Sequence, residues 1–227
     1  MNLTARAPGP ELMDADDLDP DDYAAVVADL ARVNTVTLAP RPTLAFLARA
    51  AAGHRTLRIL DVGFGDGDML RRIERWATRQ SIAVDLVGVD LNPRSERAAR
   101  LHTLAGSGIT YVTGDYADRG GGWDAVISSL VAHHMTHDEL VAFLRWMEAN
   151  ARCWFVNDLH RHRFAHAGFP LLARIARWHP IVRHDGTLSV ARSFRPAEWL
   201  PLLAEAGIDD ARVFRVFPFR LCVERLR

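Results

Sequence analysis

The residues with the clearest chemical potential are two carboxylates that each end a short apolar strand. Asp61 ends a segment that begins at Leu57, and Asp90 ends a second segment that begins at Val84. Three glycines follow the first carboxylate at alternate positions: Gly63, Gly65 and Gly67. A strand, a glycine loop and a helix present backbone N–H groups and a positive helix end to a nucleotide-like ligand. An acid at the end of the next strand can bind both hydroxyls of a ribose, so the pattern indicates a nucleoside-cofactor enzyme.

The spacing of the glycine loop argues against a dinucleotide. The dinucleotide pattern Gly-x-Gly-x-x-Gly would need a glycine where this chain has Asp68, and the third glycine is Gly67 instead. Asp61 would also repel a pyrophosphate, whereas it suits a ligand with a cationic amino-acid end. The alternative is that the glycines only mark an ordinary tight turn.

Four segments together resemble motifs of the class I S-adenosylmethionine (SAM) dependent methyltransferases. The stretch from Asp61 to Gly67 resembles the first motif, and Val89-Asp90 resembles the second. Gly114-Asp115 resembles the place where the family's acid contacts the adenine amino group, and residues 124–134 resemble a strand motif of small-molecule members related to quinone-biosynthesis methyltransferases. The resemblance implies SAM as cofactor, with these binding residues: Asp61, Gly63, Gly65, Gly67, Asp90, Leu91, Asp115, Tyr116, Ser128 and Ser129. For Asp115, the capping of a turn stays open as an alternative.

Strands alternate with helix-length segments along most of the chain. The expected strands are Leu57–Asp61, Val84–Asp90, Ile109–Val112, Trp123–Ser128, Arg152–Val156, Arg212–Val216 and Arg220–Glu224. This alternation predicts a parallel sheet with helices on both faces, and the last two strands are close enough for a hairpin. The expected fold class is therefore α/β: a Rossmann-like, seven-stranded, mostly parallel sheet with a closing antiparallel hairpin.

Composition divides the chain into three regions. Residues 1–22 carry Pro, Gly and Asp with little apolar content, which predicts a flexible tail. Residues 23–54 contain two helical patterns that predict an N-terminal cap, and residues 55–227 form the expected methyltransferase domain. Within that domain, residues 159–194 are an insertion after the fifth strand. Its apolar side chains predict either a lid over an apolar substrate or a helix that only caps the core, and they include Leu171, Ile175 and Trp178 at helical spacing.

Candidate catalytic groups follow the fourth and fifth strands, where open α/β sheets bind ligands. A sulfonium methyl group is already electrophilic, so an enzyme must mainly align the acceptor and exclude water. An oxygen acceptor must also lose a proton, and histidine is a sufficient base for a phenol with a pKa near ~10. The candidates are His133 and His134 after the fourth strand, and Asp158 with His160 after the fifth. Hydrogen-bonding or surface roles for the histidines, and a packing role for Asp158, remain possible as well.

Charge and composition narrow the function classes. The formal net charge of +0 gives no global field that attracts nucleic acid. The two cysteines lack metal-ligand spacing, so no metal is expected. No signal-peptide core or membrane-spanning segment is seen, which predicts a cytoplasmic protein without stable membrane insertion.

The expected reaction is SAM-dependent methyl transfer to a small, apolar acceptor of phenolic, polyketide or quinone type, with O-methylation favoured. The insertion also resembles bacterial methyltransferases associated with polyketide-derived phenolic compounds. C-methylation needs the same cofactor site, so the sequence hardly separates the two reactions. A non-catalytic SAM-binding protein and a macromolecule methyltransferase are also compatible with the cofactor motifs, and a homodimer stays open as an assembly.

Overall fold

Seven strands form one mixed sheet in the computed structural model, which describes residues 3–15 and 17–227. The strands are β1 (Thr56–Val62), β2 (Ala83–Asp90), β3 (Ile109–Thr113), β4 (Trp123–Ser129), β5 (Ala151–Leu159), β6 (Arg212–Val216) and β7 (Arg220–Arg225). Their order across the sheet is β3-β2-β1-β4-β5-β7-β6. In this described sheet β7 alone runs opposite to the other strands, and it pairs antiparallel with both β5 and β6. The predicted mostly parallel sheet with a closing hairpin is confirmed.

Helices pack on both faces of the sheet. They are α1 (Pro20–Val36), α2 (Pro40–Ala50), α3 (Asp68–Gln80), α4 (Pro93–His102), α5 (His137–Asn150), α6 (Arg163–Ile175), α7 (Pro180–Arg192) and α8 (Pro196–Ala206). Along β1, Leu57 and Ile59 enter an apolar cluster with α2 and α3, whereas Leu60 and Val62 enter a cluster with α5 and α8. This alternation is the one expected of a strand that is buried on both faces.

β5 continues beyond its predicted end. The sequence predicts Arg152–Val156, but the strand runs to Leu159 because β7 pairs with its last residues. Asp158 consequently lies within the strand, opposite Leu221, and not in the loop after it. Its side chain is buried.

The N-terminal segment packs against the rest of the molecule. A flexible tail is predicted for residues 1–22, but the described part of this segment is held by specific hydrogen bonds. Arg6 donates to the backbone carbonyl of His133 at 2.8 Å, and the Asp185 carboxylate accepts two successive backbone N–H groups, starting at Leu12, at 2.9 Å each. These partners are far away in the sequence, so the polar composition of the segment gives no sign of them.

The insertion after β5 forms two helices, α6 and α7, where the sequence predicts one apolar helical face. α6 ends at Ile175, and Trp178 lies beyond it, buried beside Val26 of α1. Leu171 and Ile175 are 63% and 72% exposed, so neither is packed into the core. None of the helices in the described ranges has the length and hydropathy needed to span a bilayer.

Candidate active site

A cavity of about 370 Å³ lies at the carboxyl ends of the parallel strands. The last residues of β1, β2, β4 and β5 contribute to its wall, together with α1, α7 and the N-terminal segment. The predicted site residues found in this wall are Asp61, Gly63, Gly65, Asp90, Leu91, Tyr116, Ser129, His133 and His134. The structure therefore brings most of the candidates to one place. Gly67, Asp115, Ser128 and Asp158 are not among the residues that line it.

The glycine loop shapes the cavity but does not offer free donors from its glycines. Gly63, Gly65 and Gly67 all have positive φ, at 76°, 55° and 74°. Their N–H groups are paired with the Val89 carbonyl at 2.8 Å, the Asp90 carboxylate at 2.9 Å and the Phe64 carbonyl at 2.8 Å, respectively. The expectation that these amides face a ligand unpaired is therefore wrong. The loop instead leaves room for a ligand beside Gly65, because a Cβ there would meet nothing within 4 Å.

Two buried carboxylates end β1 and β2. Asp61 is 2% exposed, and its Oδ1 has no hydrogen-bond partner among the described residues. Burial, reinforced by the charge of Asp90, raises the pKa of Asp61 to about 8. Asp90 accepts the backbone N–H groups of Gly65 and Asn92, both at 2.9 Å, and burial raises its pKa. An unpaired buried carboxylate oxygen is costly, so this pair fits a ligand with a cationic amine and hydroxyl groups.

His133 and Asp158 form a buried pair, and His133 lines the cavity. Nδ1 of His133 donates to Oδ1 of Asp158 at 2.7 Å, and the His133 backbone N–H donates to Oδ2 at 2.9 Å. These two contacts fix the imidazole and leave Nε2 as the nitrogen for proton transfer. Burial opposes protonation, but the carboxylates of Asp158 and Glu11 outweigh it and raise the pKa of His133 to about 9.

Glu11 is a site residue that the sequence analysis missed. Its buried carboxylate lies 3.5 Å from Nε2 of His133 and 3.8 Å from Nε2 of His134, and it accepts a hydrogen bond from Ser189. Burial opposes ionisation, but the two histidines prevail and lower the pKa of Glu11. The ligand atoms of Glu11, His133 and His134 lie within 4.8 Å of one another, so this trio could also hold a metal ion. A single Glu in a segment without periodicity carries no sequence signal for either role.

The predicted residues outside the cavity wall have structural contacts. Asp115 is exposed and accepts the backbone N–H of Ala117 at 2.8 Å, so it caps a turn, as the sequence allowed. Ser128 donates its hydroxyl to the Val62 carbonyl at 3.0 Å. A Cβ at Gly67 would lie 2.6 Å from the Tyr111 hydroxyl oxygen, so this glycine permits close packing.

A family model described as a methyltransferase domain matches residues 59–152. This range includes the glycine loop, Asp90 and both candidate histidines. Residues 59–152 are therefore similar to a methyltransferase domain, over less than half of the chain. No curated protein sequence matches the chain.

Solved methyltransferase structures share the fold of this domain. Human N-acetylserotonin methyltransferase in complex with SAM is 15% identical, with a TM-score of 0.66 over 96% of this chain and 59% of that one. An O-methyltransferase from neocarzinostatin biosynthesis is 18% identical, with a TM-score of 0.64 over 92% and 59%. The plantazolicin methyltransferase is 14% identical, with a TM-score of 0.63 over 92% and 91%. The chain thus spans about three fifths of the length of the first two and nearly all of the third.

Proposed function

We propose that the chain transfers the methyl group of SAM to a hydroxyl group of a small, largely apolar acceptor bound in the cavity. The observation that carries this proposal is the His133–Asp158 pair, whose histidine lines the same cavity as Asp61 and Asp90. A phenolic acceptor is supported by the neocarzinostatin-biosynthesis enzyme, whose structure holds 1,4-dihydroxy-2-naphthoic acid with S-adenosylhomocysteine (SAH).

The residues at the ends of β1 and β2 fit SAM. When bound, SAM supplies an electrophilic methyl group, so the protein needs only to bind it and align the acceptor. The unpaired Oδ1 of Asp61 suits the cationic amine, and the Asp90 carboxylate suits the ribose hydroxyls. The open space at Gly65 would let the cofactor lie close to the backbone. Ser129 adds a buried hydroxyl that has no hydrogen-bond partner among the described residues.

His133 is the better of the two candidate bases. Asp158 holds its Nδ1, so the neutral ring carries its lone pair on Nε2, ready to accept a proton from the acceptor. His134 lacks such a contact among the described residues, since its nearest carboxylate oxygen, on Asp14, is 3.5 Å from Nδ1. With its pKa near 9, His133 is well matched to a phenol, whose pKa is about 10.

The test combines methyl-labelled SAM with phenolic, quinone and polyketide acceptors and locates the label by mass spectrometry. We expect label on oxygen, and His133→Ala should lower turnover roughly 10²- to 10⁴-fold while SAH affinity changes little. His134→Ala is the matched control and should retain most of the turnover. Full turnover in the His133 variant would remove the assigned base, and label on carbon would replace O-methylation with C-methylation. Absence of SAH binding by folded protein would contradict the whole proposal.

A further inference from the structure

Arg220 is a buried cation without an acidic partner in the described part of the chain. It is 3% exposed, and its Nη1 has no hydrogen-bond partner there. Nη2 has one weak contact, a donated hydrogen bond of 3.3 Å to the amide oxygen of Asn34. Arg161 is equally buried but forms an ion pair with Glu198, as buried charges generally do.

An unpaired buried guanidinium is energetically unfavourable unless a ligand supplies the missing anion. Burial lowers the pKa of Arg220 to about 10, so the side chain still carries its charge at neutral pH. Arg220 lines the same cavity as His133, together with apolar residues of α1 and α7. An anionic group on a molecule in the cavity could therefore pair with it.

We infer that Arg220 binds the carboxylate of the acceptor, so that the substrate is an apolar hydroxy acid. This inference rests on the proposed function and specifies its substrate class. A guanidinium offers two parallel N–H donors to a carboxylate, a geometry that selects it over a neutral amide. Arg220 would thus hold one end of the acceptor while His133 accepts the proton from its hydroxyl group.

SAM also carries a carboxylate, but the position of Arg220 favours the acceptor. Arg220 begins β7, which is separated from β1 by β4 and β5. With strands about 4.8 Å apart, the axes of β1 and β7 are roughly 14 Å apart. Asp61, the residue suited to the SAM amine, lies near the end of β1. Asp158, which positions His133, is close enough for its charge to favour the charged form of Arg220, but the two side chains form no ion pair.

The test measures binding to the SAH-loaded protein by calorimetry, so it does not depend on turnover. The probes are salicylate and 3-hydroxy-2-naphthoate, each compared with its own carboxamide. We expect at least one acid to bind about tenfold or more tightly than its amide, because a charge-assisted pair replaces a neutral one. Arg220→Gln should abolish this preference and Arg220→Lys should retain part of it, while Arg215→Gln, at an exposed arginine of β6, should leave it intact.

Three results would overturn the inference: no acid is preferred by the wild type, the preference survives in Arg220→Gln, or that variant loses SAH affinity by the same factor. The last result would place the anion on the cofactor. Thermal unfolding of each variant in the presence of SAH checks that it is folded. The binding test does not require methyl transfer. A preference for the acid in a protein with no detectable turnover would therefore support carboxylate binding by Arg220 and count against the proposed reaction.

Discussion

His133 lies between two carboxylates, and this position determines the expected pH dependence of the reaction. Asp158 and Glu11 overcome the effect of burial and raise its pKa to about 9, so the imidazole is mostly protonated at neutral pH. Only the neutral ring can accept a proton. We therefore expect kcat to rise about tenfold per pH unit above neutrality and to level off near pH 9, in labelled-methyl assays at saturating SAM.

Glu11→Gln tests whether the N-terminal segment sets this profile. The negative charge of Glu11 stabilises the imidazolium, so its removal should lower the pKa of His133 and shift the rise in kcat to lower pH. Asp22→Asn, at an exposed carboxylate, is the control and should leave the profile in place. An unshifted profile in folded Glu11→Gln would show that Glu11 does not act on the base.

Asp90 offers a test of the ribose assignment. Its carboxylate accepts two backbone N–H groups and lines the cavity, so Asp90→Ala should raise the Kd of SAH about tenfold or more by calorimetry. Asp85 lies on the same strand with its side chain 59% exposed, and Asp85→Ala should leave the Kd unchanged. Equal affinity in the two variants would remove Asp90 from the site.

At the level of elements, the turn after β1 depends on a residue without a side chain. Gly63 has a φ of 76°, and a Cβ there would lie 2.3 Å from Cγ2 of Val131. Gly53 has a similar φ of 79°, but a Cβ there would meet nothing within 4 Å. Gly53→Ala should thus lower the free energy of unfolding by about 1 kcal/mol, through backbone strain alone. Gly63→Ala should lower it by a further ~1–3 kcal/mol because of the steric clash, and urea unfolding measures both losses. Equal losses would show that Val131 moves away freely.

Local patterns in the sequence predict the strands and can mark helix ends, because apolar alternation and capping residues act over a few positions. Pro196 begins α8 and Gly207 follows its last residue, which are the positions that proline and glycine prefer at helix ends. Features that depend on distant partners could not be predicted. The end of β5 is set by β7, and the pairing of the Gly65 amide is set by Asp90 on another strand.

The candidate site also contains some residues that local sequence patterns predict and others that they do not. Asp61 and Asp90 follow strands with a recognisable pattern, so their convergence on one cavity was predictable. Glu11 and Arg220 reach the cavity from opposite ends of the chain, and neither is part of a local motif. From the sequence alone, Arg220 cannot be distinguished from an ordinary strand residue. Its burial and its missing partner are properties of the three-dimensional structure.

For the whole molecule, the cavity combines two parts of the chain. The range that matches the methyltransferase domain, residues 59–152, supplies the glycine loop, Asp90 and His133. The remaining wall includes residues of the N-terminal segment, α1, α7 and β7 and the last residues of β5, all of which lie outside that range. Under the proposed function, the first part binds the cofactor and the second selects the acceptor, so acceptor specificity should change with substitutions in the second part alone.

Ligand-induced stabilisation tests the choice of cofactor in the intact protein. A ligand that binds only the folded state at 100 times its Kd adds about 2.7 kcal/mol of stability. At ~2–4 °C per kcal/mol for a chain of this size, SAH should raise Tm by roughly 5–10 °C. NAD at the same concentration should not, because Asp61 would repel its pyrophosphate and position 68 is Asp where a dinucleotide loop needs glycine. A shift with NAD and none with SAH would mean that this loop holds a dinucleotide.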